Sequence, residues 1–509
     1  MRSTLVVHPP LVLDRDGPAP LTHQIVTGLR GLVESGALRA GDALPSTRAL
    51  AASLGVARGT VVTAFEQLEA EGYLVATRGS GTRIAQVRAR RAPAGARRRT
   101  APGGRDGAPR HDGLLDLRPG HPDISAIDSP PWRRAWREAL AEPAASTDPA
   151  GLGALRGEVA EHLRLMRSLV RPPEQILVTA GAREGLALAL GALAGSRAAA
   201  GRGDGPARLR VGVESPGHPA LSGLPGALGH RTVALAVDDE GLVTDRLPDP
   251  SGIDAVIVTP SHQYPHGGVL AARRRQELLD WARAGRVLVI EDDYDSELRY
   301  VGMPLPPLAA LDDPSTGRVL TLGTFSTVLS PALATGYLVA PDGLLDPLLA
   351  RRRLLGPPTG TLVQQALAGY LASGELRRHI QRMRRSYRAR RRTVLAALSD
   401  APGARPAPLM GGLQAVVLTD APGARVVEAA RARGVLVGDL AGRWGRTGRE
   451  EGIVFGFAAV PAARLGTALR VIAAACAEAA RPCAPPRTGG ATRPPIHRSR
   501  PAANLESCS

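Results

Sequence analysis

The stretch LPSTRALAASLGVARGTVVTAFEQLEAEGYL, residues 44–74, carries two short helical patterns separated by Gly55. A serine hydroxyl accepts backbone N–H bonds at a helix start, so Ser46 is expected to cap the first helix. Glycine tolerates the tight turn that follows, and the second helix is expected from about Arg58. The apolar residues that this second helix should bury are Val62, Phe65 and Leu68. Two short helices joined by such a turn predict a helix-turn-helix, whose second helix enters the major groove of DNA.

The flanking residues extend this pattern on both sides. Apolar residues at helical spacing over 21–39 predict a further helix, and YLVATRGSGTRIA, residues 73–85, alternates around glycines as a β-hairpin does. Residues 18–85 together closely resemble the GntR-type winged helix, a domain that binds double-stranded DNA. The resemblance implies DNA contacts from Arg48, Arg58 and Thr60, and from Arg78 and Gly79 at the tip of the wing. Arginine supplies bidentate bonds to phosphate or guanine, and glycine lets the wing backbone approach closely.

The net charge of +17 is concentrated in two segments. Residues 88–110 hold eight arginines and one aspartate, and residues 481–509 hold five arginines and one glutamate. Segments so rich in arginine, proline and glycine bury too little apolar surface to fold, so we predict a disordered linker at 86–113 and a disordered tail at 481–509. The winged domain is nearly neutral, with six arginines and five acids in residues 20–85. The linker is therefore expected to supply nonspecific attraction to DNA.

In residues 114–480, strand-like apolar runs end in clusters of polar side chains. Four such runs are LRVGV (209–213) before 214–218, AVIVT (255–259) before 260–265, VLVI (287–290) before 291–295, and VLTLGTF (319–325) before 326–327. Strands that alternate with helical patterns predict a parallel α/β sheet. Ligands bind at the carboxyl ends of the strands in such sheets, so we expect the four clusters to line one crevice.

The order and spacing of these clusters resemble the α/β fold type I of pyridoxal-phosphate-dependent aminotransferases. Behind a winged helix, they resemble the MocR/GabR subfamily of GntR-type transcriptional regulators. The motifs that carry the resemblance are LRPGHPD (117–123), DPAGLGALR (148–156), ILVTAGAREGL (176–186), PSHQYPHGG (260–268), EDDYDSELRY (291–300) and RRHIQRMRRSYRARR (377–391). The resemblance covers about residues 11–480 and implies an aminotransferase-like domain at 114–480, with a small C-terminal subdomain from about 395. It also implies a domain-swapped, head-to-tail homodimer.

The resemblance assigns a pyridoxal phosphate pocket to residues of these motifs. Asp292 occupies the position of the aspartate that pairs with the pyridine nitrogen, and Tyr294 that of the tyrosine that faces the cofactor phenolate. A buried carboxylate beside a pyridinium forms a charge-assisted hydrogen bond that keeps the ring protonated. Four further residues are expected to line the pocket: His218 against the ring, Ala182 and Arg183 in the phosphate loop, and Ser326.

The pocket lacks the residue that would bond covalently to the cofactor. The family's Schiff-base lysine follows a threonine–phenylalanine–serine run, and here Thr327 stands at that position in a chain without lysine. Ala334 stands where the family usually has a phosphate-binding arginine. Val454 and Phe455 lie near the position of a carboxylate-binding arginine in amino-acid-binding relatives. Pyridoxal phosphate is thus expected of the family, but neither covalent binding nor transamination is expected here.

Three functions are compatible with these features. The preferred one is a DNA-binding transcription regulator whose aminotransferase-like domain senses a small molecule: an amino acid, a vitamin B6 form or another metabolite. The alternatives are a pyridoxal-phosphate-dependent aminotransferase-family enzyme or cofactor-binding sensor, and a dimeric DNA-binding scaffold whose pocket senses nothing. Of these functions, only the aminotransferase requires a primary amine in the pocket, and no side chain of this sequence supplies one. With no signal peptide, no membrane-spanning run and three cysteines near its end, the chain is expected to be cytoplasmic, nucleoid-associated and free of a metal site.

Overall fold

The structure is a computed structural model that describes residues 7, 9–11, 13–15, 17–34, 37–77, 81–85, 114–144, 148–199, 208–302, 305–313, 315–441 and 450–481. The chain forms two compact units, residues 1–109 and residues 110–509. The predicted linker, the tail from residue 482 onward, and the wing-tip residues Arg78 and Gly79 lie outside the described residues. Within the described ranges, no helix is long and apolar enough to cross a membrane.

The first unit contains the predicted helix-turn-helix and its wing. Its elements are α1 (Leu21–Glu34), α2 (Thr47–Leu54), α3 (Arg58–Ala70), β1 (Leu74–Thr77) and β2 (Gly81–Ile84). The Ser46 hydroxyl accepts a hydrogen bond from the Ala49 N–H, and Gly55 ends α2 with a φ of 63°. β1 and β2 pair antiparallel, from Leu74 opposite Ile84 to Thr77 opposite Gly81. The winged helix predicted from the sequence is confirmed.

One packing prediction for α3 is wrong. Val62 is only half-buried, whereas Val61 is fully buried together with Ala64, Phe65 and Leu68. The buried residues follow the i, i+3, i+4, i+7 spacing of one helical face. The predicted residues are spaced strictly by three, and because a helical turn has 3.6 residues, such a series moves away from a single face. Phe65 and Leu68 are buried as predicted, so the buried face differs from the predicted one in the first turn of α3, where Val61 takes the place of Val62.

The second unit is built on an eight-stranded sheet. Its strand order is β4-β11-β10-β9-β8-β5-β6-β7. In chain order these strands are β4 (Ile176–Thr179), β5 (Arg210–Ser215), β6 (Arg231–Asp238), β7 (Gly241–Leu242), β8 (Ala255–Val258), β9 (Leu288–Asp293), β10 (Val319–Thr324) and β11 (Gly336–Val339). The four apolar runs that the sequence predicts as strands form the parallel neighbours β5, β8, β9 and β10. β6 pairs parallel with β5 on its other side.

The sheet is mixed rather than wholly parallel. β11 runs antiparallel to both of its neighbours, β10 and β4, and β7 runs antiparallel to β6. A parallel neighbour needs a crossover of about a dozen or more residues with a helix, and residues 325–335 contain only a short 3₁₀ turn at Pro331–Leu333. The short connection therefore turns β11 back beside β10.

Helices cover both faces of this sheet. They are α4 (Pro130–Ala141), α5 (Gly153–Arg167), α6 (Ala182–Ala199), α7 (Pro219–Ala227), α8 (Ala272–Gly285), α9 (Asp342–Leu355), α10 (Thr361–Ala372), α11 (Glu375–Leu398), α12 (Gly423–Ala432) and α13 (Ala462–Ala479). Val256 and Val258 of β8 join one buried cluster, and Ala255 and Ile257 join the other. Alternate residues of a strand point to opposite faces, so a strand covered on both sides is apolar throughout.

A second, smaller sheet lies in the C-terminal part of this unit. Its strand order is β12-β13-β16-β15. The remaining strands are β3 (Leu115–Asp116), β12 (Ala404–Pro406), β13 (Gln414–Thr419), β14 (Val435–Leu436), β15 (Gly438–Asp439) and β16 (Gly452–Gly456). β3 pairs parallel with β14, so the first residues of the unit join the C-terminal subdomain. The subdomain boundary predicted near residue 395 does not include β3, which joins the subdomain from the other end of the unit.

Candidate functional site

The polar ends of the parallel strands meet in one cavity of the second unit, with a volume of about 670 Å³. Every residue that the sequence assigned to the pocket lines this cavity: Ala182, Arg183, His218, Asp292, Tyr294, Ser326 and Thr327. Asp292 and Tyr294 come from the end of β9 and the turn after it, and Ser326 and Thr327 follow β10. The carboxyl ends of neighbouring parallel strands open on the same edge of the sheet, which explains why distant motifs converge here.

Asp292 is a buried carboxylate without a partner. Only 3% of the residue is exposed, and neither carboxylate oxygen has a hydrogen-bond partner among the described residues. Burial, reinforced by the nearby Asp293 and Asp295, raises the pKa of Asp292 well above its ordinary value. An unpaired buried carboxylate is costly, so this site favours a ligand that brings a proton or a positive charge to it.

Tyr294 is held by its neighbours on the cavity wall. Its hydroxyl lies 3.0 Å from Nδ1 of His262 and 3.1 Å from the His262 carbonyl oxygen. The same Nδ1 lies 2.8 Å from a carboxylate oxygen of Asp295. Burial, with Asp295 and Asp292 close by, raises the pKa of Tyr294 well above its ordinary value. The phenol therefore stays protonated at neutral pH, and its O–H donates to the His262 carbonyl oxygen.

Thr327 takes part in a hydrogen bond with the backbone of the same wall. Its hydroxyl donates to the carbonyl oxygen of Tyr294, which ties the turn after β10 to the turn after β9. A hydroxyl cannot condense with an aldehyde to give an imine, whereas an amine can. Ala334 also lines the cavity and has a φ of 43°, in the left-handed region that L-residues with a side chain seldom adopt.

The start of α6 forms another wall of the cavity. Residues 180–183 line it, and Arg183 is exposed to solvent there. Glu184, in the first turn of α6, lies 2.8 Å from the buried Arg352 of α9, which neutralises its negative charge. Unpaired backbone N–H groups at a helix start favour anions, so this wall suits a phosphate or carboxylate group.

Several lining residues were not predicted as site residues from the sequence. Tyr264 lies beside His218, with ring centroids 5.0 Å apart. His121 and Gln414 come from segments outside the large sheet, and Gln414 Nε2 is buried without a partner among the described residues. His121 lies in LRPGHPD and Tyr264 in PSHQYPHGG, two motifs that carry the family resemblance, so the sequence offered a signal for both. It offered no such signal for Gln414 of β13.

Val454 and Phe455 do not belong to the cavity wall. Both are fully buried in β16 and neither lines the cavity. Their apolar side chains pack into the core of the smaller subdomain. Arg183 is the arginine that lines the cavity among the described residues.

Two buried glutamates lie behind the cavity at strand ends. Burial raises the pKa of Glu214 to about 7, although its carboxylate accepts hydrogen bonds from the Thr259 N–H at 3.1 Å and the Thr259 hydroxyl at 2.5 Å. Burial, together with Asp293, raises the pKa of Glu291 to about 7. A raised carboxyl pKa means that folding favours the protonated form, so stability is lost as the pH rises from about 4.5 through about 7.

We therefore expect Glu214→Gln to stabilise the protein more at pH 8 than at pH 5. At pH 5 the native Glu214 is already protonated, while at pH 8 burial opposes its charge. Thermal unfolding of variant and wild type at both pH values measures the difference. Contributions of other ionisable groups to the pH dependence are shared by both proteins and cancel in the comparison. A gain that is larger at pH 5 would contradict the prediction.

The candidate DNA-reading residues lie on the first unit. Arg48 of α2 and Arg58 of α3 are exposed, and Thr60 is half-buried in the first turn of α3. Arg15, which the sequence did not single out, donates to the Gly55 carbonyl oxygen at 2.6 Å and so braces the turn before α3. Arg78 and Gly79 fall outside the described residues. The turn before α3 is thus stabilised by the left-handed conformation of Gly55 and by the hydrogen bond from Arg15.

The described residues contain no group of three or more histidine, cysteine, aspartate or glutamate side chains that could hold a metal ion. Of the acids clustered around Asp292, Asp293 lies 3.0 Å from Arg167 and Asp295 lies 2.8 Å from His262.

Comparison with known families divides the chain in the same way. Residues 21–84 match the family described as bacterial regulatory proteins, gntR family, and residues 125–447 match aminotransferase class I and II. The chain is 48% identical over 448 residues to the HTH-type pyridoxine biosynthesis transcriptional regulator PdxR of Corynebacterium glutamicum, which covers 88% of this chain and 94% of that one. It is 33% identical over 403 residues to the probable rhizopine catabolism regulatory protein MocR of Rhizobium meliloti, with 76% and 78% covered.

Solved structures similar to this chain are aminotransferases. An archaeal alanine:glyoxylate aminotransferase superposes with a TM-score of 0.64 at 23% identity, over 72% of this chain and 91% of that one. The multiple substrate aminotransferase of Thermococcus profundus gives 0.62 at 24% identity, over 72% and 92%. At this identity the likeness establishes the fold of the second unit and nothing about its activity.

Proposed function

Because the chain belongs to the MocR-type GntR transcriptional regulators, which join a helix-turn-helix to an aminotransferase-like domain, we propose that it binds a specific DNA site and senses a vitamin B6 form without bonding to it covalently. The DNA site is read by the first unit, through Arg48, Arg58 and Thr60 and through Arg78 and Gly79 of the wing. The sensed molecule occupies the cavity at the strand ends.

The unpaired carboxylate of Asp292 is the observation that carries the sensing half of this proposal. Aminotransferase-like domains generally bind pyridoxal phosphate, and the name of the relative from Corynebacterium glutamicum links it to pyridoxine biosynthesis. The protonated ring nitrogen of a pyridine suits an acceptor that has no partner among the described residues. An amino acid or another metabolite would need a cation at the same place.

The residues of the cavity fit a phosphorylated pyridine that is held by noncovalent contacts. In aminotransferases, pyridoxal phosphate supplies an aldehyde that condenses with amines and a ring that withdraws electrons. Here Asp292 would accept the proton of the ring nitrogen, and Tyr294 would turn its O–H from the His262 carbonyl oxygen to the phenolate. His218 would lie against the ring, and the start of α6 with Arg183 and Ser326 would hold the phosphate.

The proposal assigns Thr327 to the position of the family's lysine and gives this pocket no catalytic residue. Support comes from its place on the cavity wall and from the absence of lysine in the whole sequence. A working aminotransferase is the second candidate, and it would need an amine from outside the side chains. The family resemblance further supports a domain-swapped homodimer acting at chromosomal DNA.

We expect Arg58→Ala to weaken binding to the operator by about 1–3 kcal/mol, which is the discrimination of a good arginine–base contact. Arg58 is exposed at the start of α3, the helix expected in the major groove. Fluorescence anisotropy with a fragment from the chain's own promoter, against a scrambled fragment, measures the loss.

Arg30→Ala is the matched control for this experiment. It removes the same charge from the same unit, but Arg30 pairs with Glu71 at 2.6 Å instead of facing away from the protein. The control should bind the operator like the wild type. If Arg58→Ala also binds like the wild type, Arg58 does not read DNA.

A further inference from the structure

Helix α11 carries an unusual excess of positive charge. Its 24 residues hold nine arginines and a single acid, Glu375, at its first position. Other long helices of this unit mix the signs: α5 holds three arginines and two glutamates, and α8 holds four arginines and two acids. The arginine-rich composition of the chain therefore does not by itself explain α11, because α5 and α8 have a net charge of only +1 and +2.

Apart from the half-buried Arg377 and Arg382, the arginines of α11 divide into two sets. One set turns inward: Arg390 lies 2.7 Å from Asp123, Arg384 donates to the Arg299 carbonyl oxygen at 3.0 Å, and Arg391 donates to that of Leu409. These side chains fix the helix to the rest of the unit. They have partners and are not available to a ligand.

The other set forms an exposed stripe, which we call the α11 basic face: Arg378, Arg385, Arg388 and Arg392. Spacings of seven, three and four residues place them on one side of the helix, over about 21 Å from first to last. Arg378 pairs with Glu375 at 2.5 Å, whereas no ion pair is found for the other three among the described residues. The other exposed residues of α11 are uncharged: Gln381, Ala389, Thr393 and Ala396.

The acids closest along the chain do not neutralise the centre of this face. Glu375 lies at one end of α11, and Asp400 follows the helix at the other. Burial and the positive charge of Arg388 lower the pKa of Arg384, and Glu297 acts in the opposite direction. Crowded, unpaired guanidinium groups attract a polyanion with closely spaced charges.

We infer that the α11 basic face binds the phosphate backbone of DNA outside the operator contacts of the winged helix. DNA carries one phosphate per about 3.4 Å along each strand, so a stripe of about 21 Å matches about six phosphates of one strand. The winged domain is nearly neutral, with six arginines and five acids in residues 20–85, so positive charge outside it, on α11 as well as in the linker, would add to the affinity for DNA.

The salt dependence of nonspecific DNA binding tests this face in the full-length chain. The variant Arg385→Gln, Arg388→Gln, Arg392→Gln should reduce the slope of log K against log salt by up to about 3 and weaken binding to random-sequence duplex roughly 10-fold to 100-fold at low salt. The preference for operator over scrambled DNA should be unchanged, because phosphate contacts carry no sequence information.

A control triple removes the same charge elsewhere on the unit. Arg425→Gln, Arg431→Gln, Arg464→Gln changes three exposed arginines on α12 and α13, and its slope should match the wild type. A third variant with lysine at 385, 388 and 392 should keep the wild-type slope, since it retains the charge; circular dichroism checks that all variants fold. A wild-type slope in the first triple, or equal losses in both glutamine triples, would overturn the inference. If the first triple keeps the wild-type slope but loses binding to anionic vesicles or to an acidic polypeptide, the face binds that partner instead of DNA.

Discussion

Borohydride reduction of the protein mixed with pyridoxal phosphate should leave no pyridoxyl group on residues 114–480. A stable reduced adduct requires a primary amine within bonding reach of the aldehyde, and the chain contains no lysine. Thr327 offers a hydroxyl that already donates to the Tyr294 carbonyl oxygen. Mass spectrometry of the digested protein should detect no pyridoxyl peptide from the cavity, and no amino donor should be turned over. One reduced adduct per chain in this segment would contradict the assignment of Thr327.

The reverse experiment introduces a lysine into the cavity and tests whether pyridoxal phosphate then binds covalently. Thr327→Lys with Ala334→Arg should give a visible absorption band with pyridoxal phosphate and one reduced adduct per chain, because it restores an amine and a phosphate-binding charge together. Arg353→Lys, on an exposed position of α9, is the control: it also introduces one lysine, but outside the cavity. A stoichiometric adduct on the control, or none on the double variant when it is folded, would show that the cavity does not present its ligand to residue 327.

Asp292→Asn should raise the stability of the ligand-free protein and lower its affinity for pyridoxal phosphate. The amide has nearly the shape of the carboxyl group but carries no charge, so the cost of an unpaired buried carboxylate disappears. We expect a gain of about 1–3 kcal/mol in unfolding free energy and a loss of about 1.5–3 kcal/mol in binding, or 10-fold to 100-fold in Kd. Because the pKa of Asp292 is raised, the stability gain should increase with pH above about 4.

Asp293→Asn is the matched control, and its stability should change in the opposite direction. Asp293 is equally part of β9 but pairs with Arg167 at 3.0 Å and does not line the cavity. Its replacement leaves a buried arginine without its charge partner, which destabilises the protein, while ligand affinity should be retained. Chemical unfolding measures the stabilities and calorimetric titration the affinities. If Asp292→Asn binds pyridoxal phosphate as tightly as the wild type, the ring nitrogen is not held there.

The sequence by itself determined the features that depend on local spacing. The cap at Ser46, the left-handed turn at Gly55 and the hairpin after Tyr73 follow from short-range chemistry, and the structure has all three. The strands that end at Glu291–Asp293 and at Thr324 were also readable, because strands covered on both faces are apolar throughout. The lack of lysine needs no structure at all.

Only the tertiary structure decided how these segments meet. The sequence predicted a parallel sheet, but a short connection reversed β11, and β3 returned to pair with β14 over 300 residues later. Gln414 reaches the cavity because the smaller subdomain packs over the strand ends, and Asp292 is unpaired because no described donor reaches it. Such contacts join residues far apart in the chain, so their distances and burial depend on the packing of whole elements and have no local pattern in the sequence.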